Sequence, residues 1–437
     1  MKTKKKNNKV SVITLGCSKN LVDSENLITQ LHANEYEVEH DKHSDDSNIL
    51  IINTCGFIDT AKQESIDTIL EGSELKKSGQ IEKLYVTGCL SERYKNDLEE
   101  EIPEVDAYFG TLELPALLNK LIANYQHDLI GERWTVTPQH YAYMKISEGC
   151  NRTCSFCAIP LMRGKHISRT IESLVNEARN QAKNGVKELI LIAQELTYYG
   201  LDLYKKRALS DLLNRLCEVD GIEWIRLHYA YPSKFPLDII ETMAAQPKIC
   251  NYLDMPLQHA ADNVLNLMKR QITQADQRQL ISDIRSIIPT IALRTTMLVG
   301  FPGETEEDFK ILNDYIEDIQ FDRLGTFMYS HEEDTSAYLL DNSVSDEVKA
   351  DRSNRLMETQ QQISFDKNLA KIGKEFKILV DRKEGEYFIG RTQYDSPEVD
   401  NEVLVSAAEN YLRVGDFAQV EIINAESYDL YGRLTVR

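Results

Sequence analysis

Short apolar runs alternate with stretches whose apolar residues recur every three or four positions over roughly residues 9–130. VSVITLG (10–16), SNILIINTCG (47–56) and EKLYVTGCL (82–90) are rich in Val, Ile and Leu, as expected of strands covered on both faces. SENLITQLHA (24–33), TAKQESIDTILEGSELKKSG (60–79) and LELPALLNKLIANY (112–125) have helical spacing. The alternation predicts a small α/β unit with a mainly parallel sheet. From about 138 to 370 it resumes, with strands expected in YAYMKISEGC, KELILIAQE, WIRLHYAYP, NYLDMPLQH, IALRTTMLVGFPG and RLGTFMYS. Helical patterns such as TIESLVNEARNQAKNG lie between them. Six strands with helices between suggest a βα barrel of the TIM type, open if no further strands complete the eight. After 371 the period changes to two, broken by Gly, Asn, Asp and Pro, which predicts a small antiparallel β-barrel of the OB type. Three domains are therefore expected, at residues 1–135, 136–370 and 371–437.

Composition adds little to that picture except through charge and cysteine. Of 437 residues, 42% are hydrophobic and 27% charged, as in a globular protein. No apolar run approaches the ~20 residues of a membrane helix. The start, MKTKKKNNKV, lacks the apolar stretch of a signal peptide and reads as a frayed basic leader on a cytoplasmic protein. The net charge of −20 makes the chain a poor general binder of nucleic acid, whose phosphates need Lys and Arg. It suits a basic partner, or simply solubility.

The eight cysteines are unevenly placed, three of them in CNRTCSFC (150–157). In a reducing compartment they argue for metal binding or catalysis rather than disulfides. Cys150, Cys154 and Cys157 supply three thiolates from one loop after the first barrel strand, where such barrels place chemistry. Structural zinc wants four closed ligands, and His166 in RGKHISR is the one nearby candidate for a fourth. An iron–sulfur cluster can leave one iron without a protein ligand, and Phe156 would shield it from water. Cys17, Cys55 and Cys89 each end one of the first three strands, the edge at which open parallel sheets collect ligands. Each alone could be a small buried hydrophobe. Cys217 and Cys250 fit no cluster spacing, and Cys217 reads as core.

The Cx3CxΦC loop after the first strand of a βα barrel resembles the signature of radical S-adenosylmethionine enzymes. With Cys17, Cys55 and Cys89 ahead of it, the stretch CNRTCSFCAIPLMRGKHISR, VGFPGET (299–305) and a terminal β-barrel, the chain resembles the methylthiotransferases over essentially its whole length. That resemblance implies two 4Fe–4S clusters and S-adenosylmethionine. The loop cysteines would hold the radical-forming cluster, and the three early cysteines a second cluster carrying the sulfur to be inserted. Residues 371–437 would correspond to the TRAM domain, which positions substrate. Gln194 and Glu195, Gln258 and His259, and Arg294 stand where such barrels hold the cofactor, although all five could be satisfied polar groups at strand ends. No catalytic residue is assigned beyond the cluster ligands.

GCSKNLVDSE (16–25) and NTCGFID (53–59) resemble the branch of that family acting on a ribosomal protein more than the tRNA branch, which tends to show GCQMN-like and NTCSIR-like turns. RTTMLVGFPGET (294–305) also lacks the aspartate that often precedes this stretch in the tRNA branch. The resemblance thus implies methylthiolation of the β-carbon of an aspartate in small-subunit protein twelve, with an electron donor such as flavodoxin or ferredoxin. The rivals are tRNA adenosine methylthiolation and a non-catalytic ribosome-associated metal-binding protein. Residues 371–437 hold nine Lys/Arg against thirteen Asp/Glu, a net of −4 that makes tRNA an unlikely partner and suits a basic protein. Because all six cysteines precede residue 158, deleting this last segment is expected to spare both cysteine groups and cofactor cleavage. Thr305 and Asp308 have capping-box spacing, with Asp in place of the usual Glu or Gln.

Overall fold

The computed structural model describes residues 8–42, 47–126, 129, 131–341, 343–408 and 410–435. The first seven residues, most of the expected basic leader, lie outside these. The first sheet has five parallel strands, β1 (Lys9–Thr14), β2 (Glu37–His40), β3 (Ile49–Thr54), β4 (Lys83–Gly88) and β5 (Ala107–Tyr108), in the order β2-β1-β3-β4-β5. Central β3 is buried along its whole length, which is why it reads as an unbroken apolar run. The edge strands escape the pattern: β2 is the polar EVEH and β5 only two residues long. Helices α1 (Ser18–Ala33), α2 (Asp59–Lys77) and α3 (Cys89–Glu101) begin where β1, β3 and β4 end, and α4 (Leu114–Lys120) follows β5. The topology therefore delivers three strand-to-helix turns to one edge.

A two-residue hairpin of β7 (Ser147–Glu148) and β8 (Ile167–Ser168) closes the base of the loop that follows β6 (Tyr141–Lys145). Beyond β6 the second sheet continues through β9 (Glu188–Ile192), β10 (Trp224–Leu227), β11 (Ile249–Asp254), β12 (Ala292–Val299) and β13 (Arg323–Met328). These six strands are parallel and sequentially ordered, β13-β12-β11-β10-β9-β6. This is the open βα barrel expected. Its helices pack outside on a core that includes Leu189, Leu213, Phe309 and Ile316.

The gap between β6 and β13 is bridged by the N-terminal unit. On one rim, Lys145 of β6 pairs with Asp23 of α1. On the other, Glu332 after β13 accepts from Arg93 of α3 at 2.6 Å and from Lys62 of α2 at 3.0 Å. Leu21 and Val22 of α1 pack inward on Tyr141, Tyr143, Ile190 and Ile192.

Strands β14 (Glu375–Glu384), β15 (Tyr387–Thr392), β16 (Glu402–Ser406), β17 (Phe417–Ala425) and β18 (Asp429–Leu434) close a barrel in the order β14-β15-β16-β18-β17. Every neighbouring pair is antiparallel except β16–β18, which is parallel. A ring with an odd number of strands cannot alternate direction throughout, so one parallel pair is the geometric consequence of closure.

This small barrel is not a detachable appendage. Its segment 391–401 enters the larger barrel near the starts of the latter's strands. There Arg391 meets Glu188 at 2.5 Å, Asp395 pairs with Arg323, and Asp400 accepts from Tyr252 at 2.7 Å and lies 3.4 Å from Arg294. Asp395 and Asp400 are fully enclosed. The expected separability of residues 371–437 is therefore corrected: their removal strips buried charges from the barrel. Among the described residues no helix is long and apolar enough to cross a membrane.

Candidate functional site

Cys17 caps α1, Cys55 follows β3, and Cys89 opens α3. Close backbone approach brings their turns together. Gly16 has φ +93°, and a Cβ there would come within 2.7 Å of the Cys55 Cβ. A Cβ on Gly56 would lie 2.9 Å from the backbone of Leu90, beside Cys89. Glycine is needed at both for contact alone, and at Gly16 for its left-handed backbone as well. Asn20 ties the turns, donating to the carbonyls of Leu15 at 2.7 Å and Thr54 at 3.0 Å, with its Oδ1 3.7 Å from the Cys89 Sγ.

The thiols feel one another and one cation. Burial above all, then the neighbouring Cys17 and Cys55, pushes the Cys89 thiol up to about 12, against the pull of Arg163. Burial likewise raises Cys55. Cys17 opens to solvent. Desolvation works against its thiolate too, but Lys19 and Arg163 together hold it below its ordinary value.

The second group lies on the loop after β6. Burial, together with the neighbouring thiols, pushes Cys150 up to about 11 and Cys157 up to about 12. The loop is fixed by cations that composition alone did not mark. Arg152 lies between the rings of Tyr198 and Tyr231, 3.9 and 3.8 Å from their centres, and its Nη2 donates to Glu195 at 2.8 Å. Arg270 donates to the Cys154 Sγ at 3.3 Å and also lies over the Tyr231 ring, 4.3 Å from its centre. Ser155 anchors the loop to the Leu267 and Met268 carbonyls, and Phe156 packs against a cluster that includes Met268, Phe301 and Tyr329. His166 is turned instead toward Ser168, 3.1 Å away.

The two groups share a wall. The short helix α5 (Ile159–Arg163) directly follows Cys157, and its Ile159 and Met162 pack with Ala158, Phe57 and Cys89. At its end Arg163 donates to the Cys89 Sγ at 3.2 Å and to Asp23 at 2.5 Å, and also to Asn20. Glu148 completes the network, 2.6 Å from Lys145. Burial disfavours its charge, but Lys145 and Arg163 hold it down to about 2.

The five polar residues expected near the cofactor separate into different settings. Gln194 donates to Glu148 at 2.7 Å and so joins this network. Glu195 is fully buried and occupied by Arg152 and the Thr197 amide. Gln258 has φ +77° and is half-buried, with no side-chain hydrogen bond among the described residues. His259 is wholly enclosed, its Nδ1 accepting from the Ala261 amide at 2.9 Å. Arg294 faces Asp254 and Asp400, both at 3.4 Å. Cys217 ends a helix and packs half-buried on the barrel core, while Cys250 is buried in β11.

Among the described residues no three His, Cys, Asp or Glu side chains are set to hold a metal ion as they stand. A cluster with sulfides of its own spaces its thiolates more widely than one ion does. The donor set fits such a cluster: two groups of three soft thiols, with arginines beside Cys89 and Cys154 that would offset thiolate charge. A bound metal centre would also reverse the upward shift of the buried thiols. Arg152, Arg163 and Arg270 escaped sequence reasoning. For Arg152 and Arg163 a signal existed, since both lie within or just beyond the cysteine motif.

Comparison with known proteins agrees in all three parts. Residues 9–110 match the Uncharacterized protein family UPF0004, 144–316 the Radical SAM superfamily and 372–435 the TRAM domain. A ribosomal protein uS12 methylthiotransferase RimO of Flavobacterium johnsoniae is 59% identical over 434 residues, covering 99% of each chain. Proteins of that name from Cytophaga hutchinsonii and Phocaeicola vulgatus are 58% and 51% identical, covering 98% of this chain and 98% and 100% of their own. Among solved structures, the radical S-adenosylmethionine methyltransferase TsrM from Kitasatospora setae aligns with a TM-score of 0.54 at 14% identity, over 73% of this chain and 72% of that one. The cobalamin-dependent S-adenosylmethionine radical enzyme OxsB gives 0.53 at 11% identity, over 82% and 56%. At such identities the likeness is one of fold.

Proposed function

The chain belongs to the RimO family of radical S-adenosylmethionine methylthiotransferases, and we propose that it methylthiolates the β-carbon of an aspartate in ribosomal protein uS12, protein twelve of the small subunit. In this reading Cys150, Cys154 and Cys157 would hold one 4Fe–4S cluster and Cys17, Cys55 and Cys89 a second. The division at residues 135/136 and 370/371 is part of the proposal, supported by the separation of the five-stranded sheet, the six-stranded sheet and the closed barrel. When bound, the clusters and S-adenosylmethionine supply the radical and the sulfur that an unactivated C–H bond requires, since such a carbon has no acidic proton for a base to remove.

The chain's own contribution is placement and charge. Glu195 keys Arg152 between two tyrosines and so fixes the cysteine loop. Arg270 and Arg163 set a positive group beside each cluster's thiolates. Gln194, Gln258 and Arg294 remain candidates for cofactor contacts, whereas Glu195 and His259 would act through the residues they hold. The observation that carries the reading is the wall formed by α5, which follows one cysteine group and packs on the other. The chemistry the two groups would supply has to reach one carbon, and α5 keeps the two cysteine groups adjacent. The net charge of −4 over residues 371–437 supports a basic protein over tRNA, and a flavodoxin or ferredoxin would supply electrons in the cytoplasm.

The test is anaerobic iron and sulfide analysis of cysteine variants. Replacing Cys150, Cys154 and Cys157 with Ala should abolish cofactor cleavage and leave about half the iron, four of eight atoms if each group holds a four-iron cluster. Replacing Cys17, Cys55 and Cys89 should spare cleavage and stop methylthio product on uS12. A Cys17/Cys55/Cys89 variant that keeps all its iron would refute two clusters.

A further inference from the structure

At the barrel mouth one lysine is buried with, among the described residues, neither a carboxylate nor a hydrogen-bond acceptor against its ammonium, although it lies near enough to Cys17 to help lower that thiol. Lys19 stands in the first turn of α1, two residues after Cys17, and is only 9% exposed. Its ammonium lies 3.4 Å from the centre of the Tyr229 ring, just past the end of β10. Among the described residues it makes no ion pair or hydrogen bond. The neighbouring cations are all satisfied. Arg163 has Asp23, Arg152 has Glu195, Lys145 has Glu148, Arg294 has Asp254, and Arg270 has the Cys154 sulfur and the Pro256 carbonyl.

An aromatic face attracts an ammonium without neutralising it, and a buried charge left unpaired is costly. An incoming carboxylate removes that cost. The position suits one, because α1 reaches into the open barrel through Leu21 and Val22, setting Lys19 between the early cysteines and the strand ends of the larger barrel. We propose that Lys19 is the specificity-determining residue that pairs with the side-chain carboxylate of the substrate aspartate. The inference rests on the uS12 reading above and deepens it. The carboxyl carbon of an aspartate is bonded directly to its β-carbon, so holding the carboxylate fixes the carbon that reacts. An asparagine has the same shape but no charge, and would leave the ammonium unpaired.

Two carboxylates could answer this description, the substrate's and that of the cofactor's methionine part, and the experiment separates them. Binding of uS12, and of uS12 with its target aspartate replaced with asparagine, is measured on the anaerobic cluster-loaded enzyme for the wild type, Lys19→Met and Lys19→Arg, alongside binding of S-adenosylmethionine. The wild type should prefer aspartate by about tenfold or more. Lys19→Met should reduce that preference to within about twofold, and Lys19→Arg should keep part of it. Preference retained by Lys19→Met overturns the proposal, as does weakened cofactor binding with the preference intact. Should Lys19→Met fail to hold its iron, carbodiimide coupling on the wild type decides. An amide between Lys19 and the target aspartate, found by mass spectrometry, supports the pairing; coupling of that aspartate to other lysines alone overturns it. Failure of the wild type to modify uS12 at all would instead sink the family reading, a distinct outcome.

Discussion

His259, in the turn beyond β11, illustrates how a residue expected near the cofactor can be enclosed by the protein itself. It is wholly enclosed, accepts from the Ala261 amide, and stands 3.8 Å from Glu304, with Asp308 and Arg352 also nearby. Burial holds its imidazole down at about 3, so it is neutral in the folded protein at any ordinary pH. Its unfolded value is near 6.5. Below that pH the unfolded chain gains a proton that the folded one refuses, so stability falls as pH drops from 6.5 toward 3. His259→Gln removes this linkage. The stability difference between wild type and variant, from urea unfolding of the cluster-free chain, should shrink by about 2 kcal/mol between pH 7 and pH 5. A constant difference would mean that His259 takes up its proton in the folded state.

Elements are set by a few local devices, and VGFPGET contains one of them. The Thr305 hydroxyl accepts from the Asp308 amide at 3.2 Å and the Asp308 carboxylate accepts from the Thr305 amide at 2.9 Å. This capping box starts the helix Glu306–Ile319 with Asp in the role usually taken by Glu or Gln. Just before it, Glu304 accepts from the Gly300 amide at 2.7 Å and from Arg352 at 2.8 Å, tying the turn to the helix Asp346–Leu369. The stretch is therefore structural in its second half. Thr305→Ala should cost about 1 kcal/mol of stability and leave iron content unchanged. Loss of iron in that variant would give the turn a role in the site itself.

The whole molecule is joined through buried charge. The N-terminal unit bridges the open barrel at both rims, and segment 391–401 enters it near the strand starts. Truncation after residue 370 would leave Arg226, Arg294 and Arg323 without their partners from that segment. Removing one partner of a buried pair costs about 3–5 kcal/mol, so a chain ending at residue 370 should unfold at lower denaturant and lose both cysteine groups' iron. Asp395→Ala, which uncovers Arg323 and also takes the acceptor from the Thr392 hydroxyl, should reproduce part of that loss by about 3 kcal/mol or more in chemical denaturation. Wild-type stability in the truncated chain would show that the barrel closes without its C-terminal segment.

The sequence by itself determined the three architectures and the cysteine arithmetic. Strands β3, β6 and β9 announce themselves because burial on both faces demands largely apolar residues, and the cysteine loop because thiols so closely spaced are rarely needed for packing. The short strands β2 and β5 were invisible, being too brief or too polar for any period. Only the tertiary structure decided which charges meet. Arg163 lies 74 residues from Cys89, Asp395 lies 72 from Arg323, and Arg391 lies more than 200 from Glu188. Local sequence carries no trace of such pairings, because a buried ion pair is created by the packing of whole units and each partner alone reads as an ordinary surface charge. Lys19 shows the same limit from the other side. Its place in the barrel mouth, and its lack of an ion-pair or hydrogen-bond partner among the described residues, follow from where α1 docks rather than from the residues beside it.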